Sequence, residues 1–306
     1  MSESIIAADE RSPRPQRLDR VALLRHARRL AAAPAGPWLH AEVAQRMAER
    51  LAIIKLQPQR WLQWSAFLGA GGEALAQVYK GAEQLWVEPT PELLERSATA
   101  AKRGWLQRLK GAPKVDVSAP DGVAPGQAQL VWANMTLHAH ADLPGLLAQW
   151  QAALAVNGFV MFSCLGPDSF VELRPLFAAR GWGRIAPDWW DMHDIGDLVV
   201  GAGFADPVMD QERIMLTWGE PEALLKDLRA LGGNVAPDRF PGLRGRGWRR
   251  ELLAALEGLR GADGRLRLSL EVVYGHAFKA APKLKVQPET HVSLDQMREM
   301  VRQASQ

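Results

Sequence analysis

From residue 60 onward the chain alternates short apolar runs with amphipathic stretches, and that rhythm leaves few folds open. Strand-like runs separated by helix-length segments read as repeated βα units, a mainly parallel sheet with helices against it. The runs fall at residues 60–68, 84–88, 114–117, 129–133, 158–163 and 208–218. Residues 142–154 place Leu143, Leu146, Leu147, Trp150 and Leu154 on one face, a crossover helix that Asn157-Gly158 then ends. At 306 residues and 47% hydrophobic, the chain can bury one large core, so a single α/β domain with additions is expected.

The additions lie at both ends. Residues 21–33 and 39–54 are helical in pattern, the second with Leu39, Val43, Met47, Leu51 and Ile54 at spacings of three and four. After the sixth run come a helix at 220–231, an Arg- and Gly-rich stretch at 234–250 and a further helix at 251–260, which together read as an insertion. Residues 266–279 alternate apolar and polar side chains and are expected to pair with the sixth strand as an antiparallel edge ribbon. The expected organisation is a mobile tail at 1–20, a domain at 21–279 with a helical insertion at about 220–262, and a polar tail at 280–306.

Charge and cysteine content narrow the surroundings. The formal charge of +3, from 37 basic and 34 acidic residues, is too balanced to mark a nucleic-acid protein. Cys164 is the single cysteine, so no internal disulfide forms, and its place in an apolar strand makes it a core residue. The first residues lack the apolar stretch of a signal peptide, and no run approaches the roughly 20 apolar residues that cross a bilayer. A cytoplasmic protein without membrane insertion is expected.

The most specific stretch is residues 60–97, which reads as strand, glycine loop, helix, strand and acidic residue. A glycine turn after a parallel strand lets a ligand approach the backbone, and an acid about 20 residues on accepts ribose hydroxyls. Glu88 is that acid. The turn has two registers. In one the strand ends at Gln63 and the turn is Ser65 to Gly69; in the other it runs to Leu68 and turns through Gly69, Ala70, Gly71 and Gly72. The second register satisfies G-x-G-x-x-A through Gly69, Gly71 and Ala74, which by itself suits a dinucleotide. The insertion and the antiparallel last strand do not extend a second mononucleotide-binding half, and they suit a seven-stranded methyltransferase sheet instead.

The segments LVWANMTLHAHADLPGLLAQWQAALAVNGFVMFSCLGPDSFVELR from Leu130, DMHDIGDLVVGAGFADPVMD from Asp191 and EVVYGHAFK from Glu271 carry a resemblance. Over about residues 39–279 the chain resembles the S-adenosylmethionine-dependent class I methyltransferases, in particular the malonyl-acyl-carrier-protein O-methyltransferases of biotin synthesis. The resemblance implies a doubly wound, mostly parallel seven-stranded sheet with an antiparallel last strand, and S-adenosyl-L-methionine as cofactor. It implies that Glu88 binds the ribose, that Asp116 after the third strand meets the adenine amino group, and that Asn134 faces the methionine end. Gly69 and Gly71 complete the cofactor set. The chain departs from the family's first motif, with Gln63, Ser65 and Phe67 where an acid and two glycines stand. A Phe67 ring in the cleft would fill the methionine space, and these replacements keep open a second function, a methyltransferase-fold protein that binds a partner without cofactor. The aromatic residue usual in the N-terminal segment is also absent, with Ala33 near its place.

The implied reaction is an in-line displacement at a sulfonium methyl carbon by a carboxylate of a malonyl thioester, carried on an acyl carrier protein or on CoA. A carboxylate with a pKa of about 4 is already ionised at neutral pH, so no general base is required. The site needs a cation or hydrogen-bond donor for the carboxylate and a cavity that excludes water. His138, Arg174, His193, Tyr274 and His276 are the candidates, with Arg174 able to clamp a carboxylate bidentately and Tyr274 and His276 on one face of the last strand. No metal site is expected, because neighbouring side chains around His193 on a helix do not converge. The run Arg239, Arg244, Arg246, Arg249 and Arg250 is a basic patch suited to an acidic carrier protein, and its few aromatics do not suit RNA. Trp189 and Trp190 stand near the expected pocket mouth.

Overall fold

The computed structural model describes residues 17–103, 113–281 and 302–303; most of the two expected tails lies outside these residues. The helix α1 (Arg20–Ala31) is opened by Asp19, whose carboxylate accepts the amides of Val21 at 2.8 Å and Ala22 at 3.0 Å, satisfying donors that the helix itself leaves unpaired. The next helix, α2 (Trp38–Glu49), buries Leu39, Val43 and Met47 along one stripe and runs into a 3₁₀ turn at Arg50–Ile53.

The strand β1 (Arg60–Trp64) leads to α3 (Ala66–Gly69), α4 (Gly72–Val78), β2 (Glu83–Val87) and α5 (Pro91–Arg103). Beyond the undescribed segment come β3 (Val115–Ser118), β4 (Ala128–Ala133), α6 (Leu143–Ala153), β5 (Leu154–Leu165), α7 (Leu173–Ala178) and α8 (Met192–Gly201). The chain closes with β6 (Ala205–Trp218), α9 (Pro221–Ala230), α10 (Arg246–Glu257) and β7 (Leu266–Phe278). These seven strands form one sheet in the order β3-β2-β1-β4-β5-β7-β6, with β7 antiparallel to both of its neighbours.

Three expectations change. The crossover helix ends at Ala153 and Leu154 opens β5, so Asn157 and Gly158 lie within a strand rather than ending the helix. The first strand stops at Trp64 because Ser65 adopts a left-handed conformation at φ 53°, which ends the ladder. The last strand pairs with the sixth as expected, but it lies inside the sheet and β6 forms the edge. The side chains explain the placement. β7 is buried on both faces along nearly its whole length, whereas β6 presents Asp210, Glu212 and Arg213 among alternately exposed residues. A strand apolar on both faces belongs between neighbours, and charge on an edge discourages further pairing.

The sheet separates two cores. One face packs Trp61, Trp132, Phe159, Leu268, Leu270 and Tyr274 against α2, α4, α9 and α10. The other packs Leu62, Val131, Val160, Phe162 and Cys164 against α6 and α8, with Trp64 set edge-on to Trp150 at 6.0 Å between centroids. Cys164 is a buried core residue, as the sequence suggests. Among the described residues no helix is long and apolar enough to cross a membrane.

Candidate functional site

Between β1 and β4 the strand order reverses, and parallel sheets open a crevice at the carboxyl ends of the strands at such a point. A cavity of about 1010 Å³ lies there. Its inner end is lined by His40, Trp64, Ser65, Leu68, Gly69, Pro89 and Asn134, and its outer end by Phe170, Phe177, Trp182, Trp189 and Trp248. The roof comes from α1, through Leu23, Leu24, Ala27 and Leu30. That roof is clasped to the insertion. The Asp19 amide donates to the Val235 carbonyl at 2.8 Å, and the Asp19 carboxylate lies 2.6 Å from the Arg239 guanidinium.

The glycine loop combines the two registers. The chain turns at Ser65, makes the single turn α3, and turns again at Ala70 (φ 57°, ψ −170°) and Gly71 (φ 90°) before α4 begins. A side chain at Gly71 would meet both an unsuitable φ and Trp132, whose Nε1 stands 2.9 Å from the place of a Cβ. Buried side chains hold this loop by its carbonyls. Gln63 donates to the carbonyls of Ala66 at 3.3 Å and Ala70 at 2.5 Å, where an aspartate or glutamate could only accept. Asn134 donates to the carbonyls of Gly69 and of His40, the latter at 2.7 Å, and accepts the Ser163 hydroxyl at 2.7 Å. His40 Nδ1 lies 2.7 Å from the Leu68 carbonyl, which makes that nitrogen the protonated one.

Phe67 does not fill the cavity. Its ring lies 3.9 Å beneath the Arg96 guanidinium, and Arg96 donates in turn to the carbonyls of Ala31 and Pro34. Glu88 follows β2 as expected but is only 1% exposed. Its Oε1 accepts the Phe67 amide at 2.8 Å and the Ser97 hydroxyl at 2.6 Å, while Oε2 is buried with no partner among the described residues. Burial outweighs these two bonds and pushes the carboxyl up to about 7.

Several expected site residues lie elsewhere. Asp116 is inside β3 rather than after it, ion-paired with Arg60 at 3.0 Å and Lys114 at 2.9 Å near the start of β1. That places it toward the amino ends of the strands, away from the cavity. Arg174, exposed on α7, donates to the Pro167 carbonyl instead of facing the cavity. His193 is exposed on α8, whose first amides are capped by Asp191. Tyr274 and His276 do share a face but pair with Ser163 and Met161, successively farther from the carboxyl end of β5. The Tyr274 hydroxyl donates to Glu212 at 3.3 Å under the Arg50 guanidinium, 3.8 Å from the ring. Gly71 packs on Trp132, behind the cavity wall.

Gly69, Asn134 and His138 do line the cavity, and so does Trp189, whereas Trp190 belongs to the opposite core. His138 accepts the Leu165 amide at Nδ1, 3.3 Å away. Burial, reinforced by His40 nearby, lowers the His138 pKa to about 3, and burial lowers that of His40 to about 4. Both imidazoles are therefore neutral at physiological pH. His40 is a site residue that the motifs do not mark; its signal in the sequence is its place in the apolar stripe of α2 with Ala44 and Met47, a polar residue where burial is required. Of the basic run, Arg239, Arg244 and Arg249 line the outer end, joined by Lys226 and Arg229 from α9; Glu222 is the acidic side chain among them. Arg244 is sandwiched between Phe240 at 4.0 Å and Trp248 at 4.3 Å.

Comparison with known proteins assigns the family. The malonyl-[acyl-carrier protein] O-methyltransferase of Gallionella capsiferriformans is 39% identical over 252 residues, covering 80% of this chain and 86% of that protein. The protein of the same name from Laribacter hongkongensis is 39% identical over 251 residues, 80% of this chain and 84% of its own. The chain belongs to the malonyl-[acyl-carrier protein] O-methyltransferase family. No protein-family model matches it. The YcgJ protein of Bacillus subtilis shares the fold, with a TM-score of 0.52 at 12% identity over 78% of this chain and 99% of that one.

Tested against the S-adenosylmethionine of such methyltransferases, the residues fit at one end. A methionine moiety would find an open cavity walled by Ser65, Leu68, Gly69 and Asn134. Glu88, the acid expected to meet the ribose, is turned inward, its Oε1 committed to Phe67 and Ser97.

Proposed function

We propose that the chain methylates the free carboxylate of a malonyl thioester borne by an acyl carrier protein, a step of biotin biosynthesis in the cytoplasm. Residues 21–279 act as one methyltransferase domain in this reading. When bound, S-adenosylmethionine supplies an electrophilic methyl group. The protein's own residues orient the acceptor and exclude water. His40 and His138, neutral and buried, suit an acceptor that is already ionised and needs no proton removed. The apolar walls from Phe170, Trp182 and Trp189 desolvate the carboxylate, which raises its nucleophilicity.

The observation that carries the proposal is the union of one deep cavity with a basic mouth at the crevice of the sheet. Lys226, Arg229 and Arg249 make no ion pair among the described residues, which leaves their charges for an acidic carrier. The test is incubation with S-adenosylmethionine and either malonyl-acyl carrier protein or malonyl-CoA, read by mass spectrometry. A methyl ester on the carrier-bound thioester is expected. A product from CoA alone would move the acceptor to that thioester, and no product from either would refute the proposal.

A further inference from the structure

Glu88 stands where the resemblance places a ribose acceptor, but its surroundings give it a different task. Its Oε1 joins two elements, accepting the Phe67 amide of α3 at 2.8 Å and the Ser97 hydroxyl of α5 at 2.6 Å. Pro89 and Thr90 line the cavity on one side and Ser65 and Leu68 on the other, while Glu88 itself stays behind the wall.

We infer that Glu88 is a positioning residue that braces the α3 turn, and that the site takes its adenosyl sulfonium donor without clasping the ribose diol. This rests on the proposed cofactor and deepens it. The alternative requires α3 to withdraw and expose the carboxylate. Withdrawal would break the Phe67 bond to Glu88, both Gln63 bonds, the His40 bond to Leu68 and the Asn134 bond to Gly69 together. It would also lift Phe67 from Arg96 and from the loop at Gly36, where a Cβ would stand 2.8 Å from the Phe67 carbonyl. Two diol hydrogen bonds do not offset that loss, since each buried group left without a partner costs more than a typical bond returns. The left-handed Ser65 and the unusual Ala70 conformation point the same way, because non-glycine residues keep such angles only where surrounding contacts over-determine them.

Calorimetry with S-adenosylhomocysteine and its 2′,3′-dideoxy analogue, on wild type, Glu88→Gln and Glu88→Ala, tests the inference together with thermal melting. Gln keeps an oxygen for Phe67 and Ser97, so Glu88→Gln should bind S-adenosylhomocysteine within about twofold of wild type, where losing a ribose clasp would cost about tenfold or more. The dideoxy analogue should bind wild type as well as S-adenosylhomocysteine does. Glu88→Ala should melt about 4 °C or more below wild type, with Glu88→Gln restoring most of the difference. Tenfold losses for both Glu88→Gln and the dideoxy analogue, or wild-type melting of Glu88→Ala, would overturn it. Absence of S-adenosylhomocysteine binding to wild type would refute the cofactor reading instead, and the melting comparison would still decide the brace.

Discussion

The two ends of the cavity are built on opposite principles. At the inner end Gln63, His40 and Asn134 tie the carbonyls of the glycine loop to three separate elements. At the outer end Lys226, Arg229 and Arg249 hold their charges toward solvent, and the walls are flat aromatic surfaces. The inner end is set before any ligand arrives. The outer end acts at a distance through its field. Specificity for the donor should therefore depend on internal hydrogen bonds, and recognition of the acceptor's carrier on ionic strength.

The sharpest way to break this contrast is at Gly71. A Gly71→Val side chain meets both φ 90° and the Trp132 ring, so it should cost about 3 kcal/mol or more and abolish S-adenosylhomocysteine binding, as denaturant melts and calorimetry would show. A variant that folds and binds normally would mean that the inner end is not rigid.

A comparable effect should come from pH. The Glu88 carboxyl is raised from 4.5 to about 7 on folding, chiefly by burial, so its contribution to stability is fullest below pH 4.5. It should fall by about 3 kcal/mol as pH climbs to 7 and above. Glu88→Gln should remove that slope from the melting profile, while a mutation at the outer end leaves it in place. An unchanged slope in Glu88→Gln would assign it to another group.

The smallest effect probes the mouth. Arg249→Glu should raise the KM for malonyl-acyl carrier protein about tenfold at low salt, less at high salt, without changing kcat or S-adenosylhomocysteine affinity. An equal rise in KM for malonyl-CoA would show that the mouth reads the thioester arm rather than the protein carrying it.

Much of this was legible from side-chain periodicity. The α6 stripe from Leu143 to Trp150 and the apolar strand cores appear where the pattern puts them, because burial on a helix or strand face depends on local spacing; the end of α6 does not, since Leu154 already belongs to β5. Position along the sheet is another matter. Alternation along the strand gives the shared face of Tyr274 and His276 but not their depth, which follows from the register with β5. Asp116 likewise lies within β3, and the pattern does not show that Arg60 and Lys114 hold its carboxylate there. Ser65 shows a further limit. Nothing in a serine announces a left-handed turn; it is imposed by the bonds that Gln63, Asn134 and Glu88 make around it. Glu88 directly follows β2, as its spacing indicates, but its partners come from α3 and α5, elements whose approach no local pattern encodes.

The clasp between Asp19 and the Val235–Arg239 segment has a consequence for assembly. It joins the first described helix to a part of the chain made only after six of the seven strands. Contacts so distant in sequence form slowly, because the long loop between them must close before they contribute. On the ribosome α1 can dock early on α5, through Arg96 on the Ala31 carbonyl and Arg28 beside Glu92, but the clasp that ties this roof to the far side of the chamber closes only once the insertion has emerged.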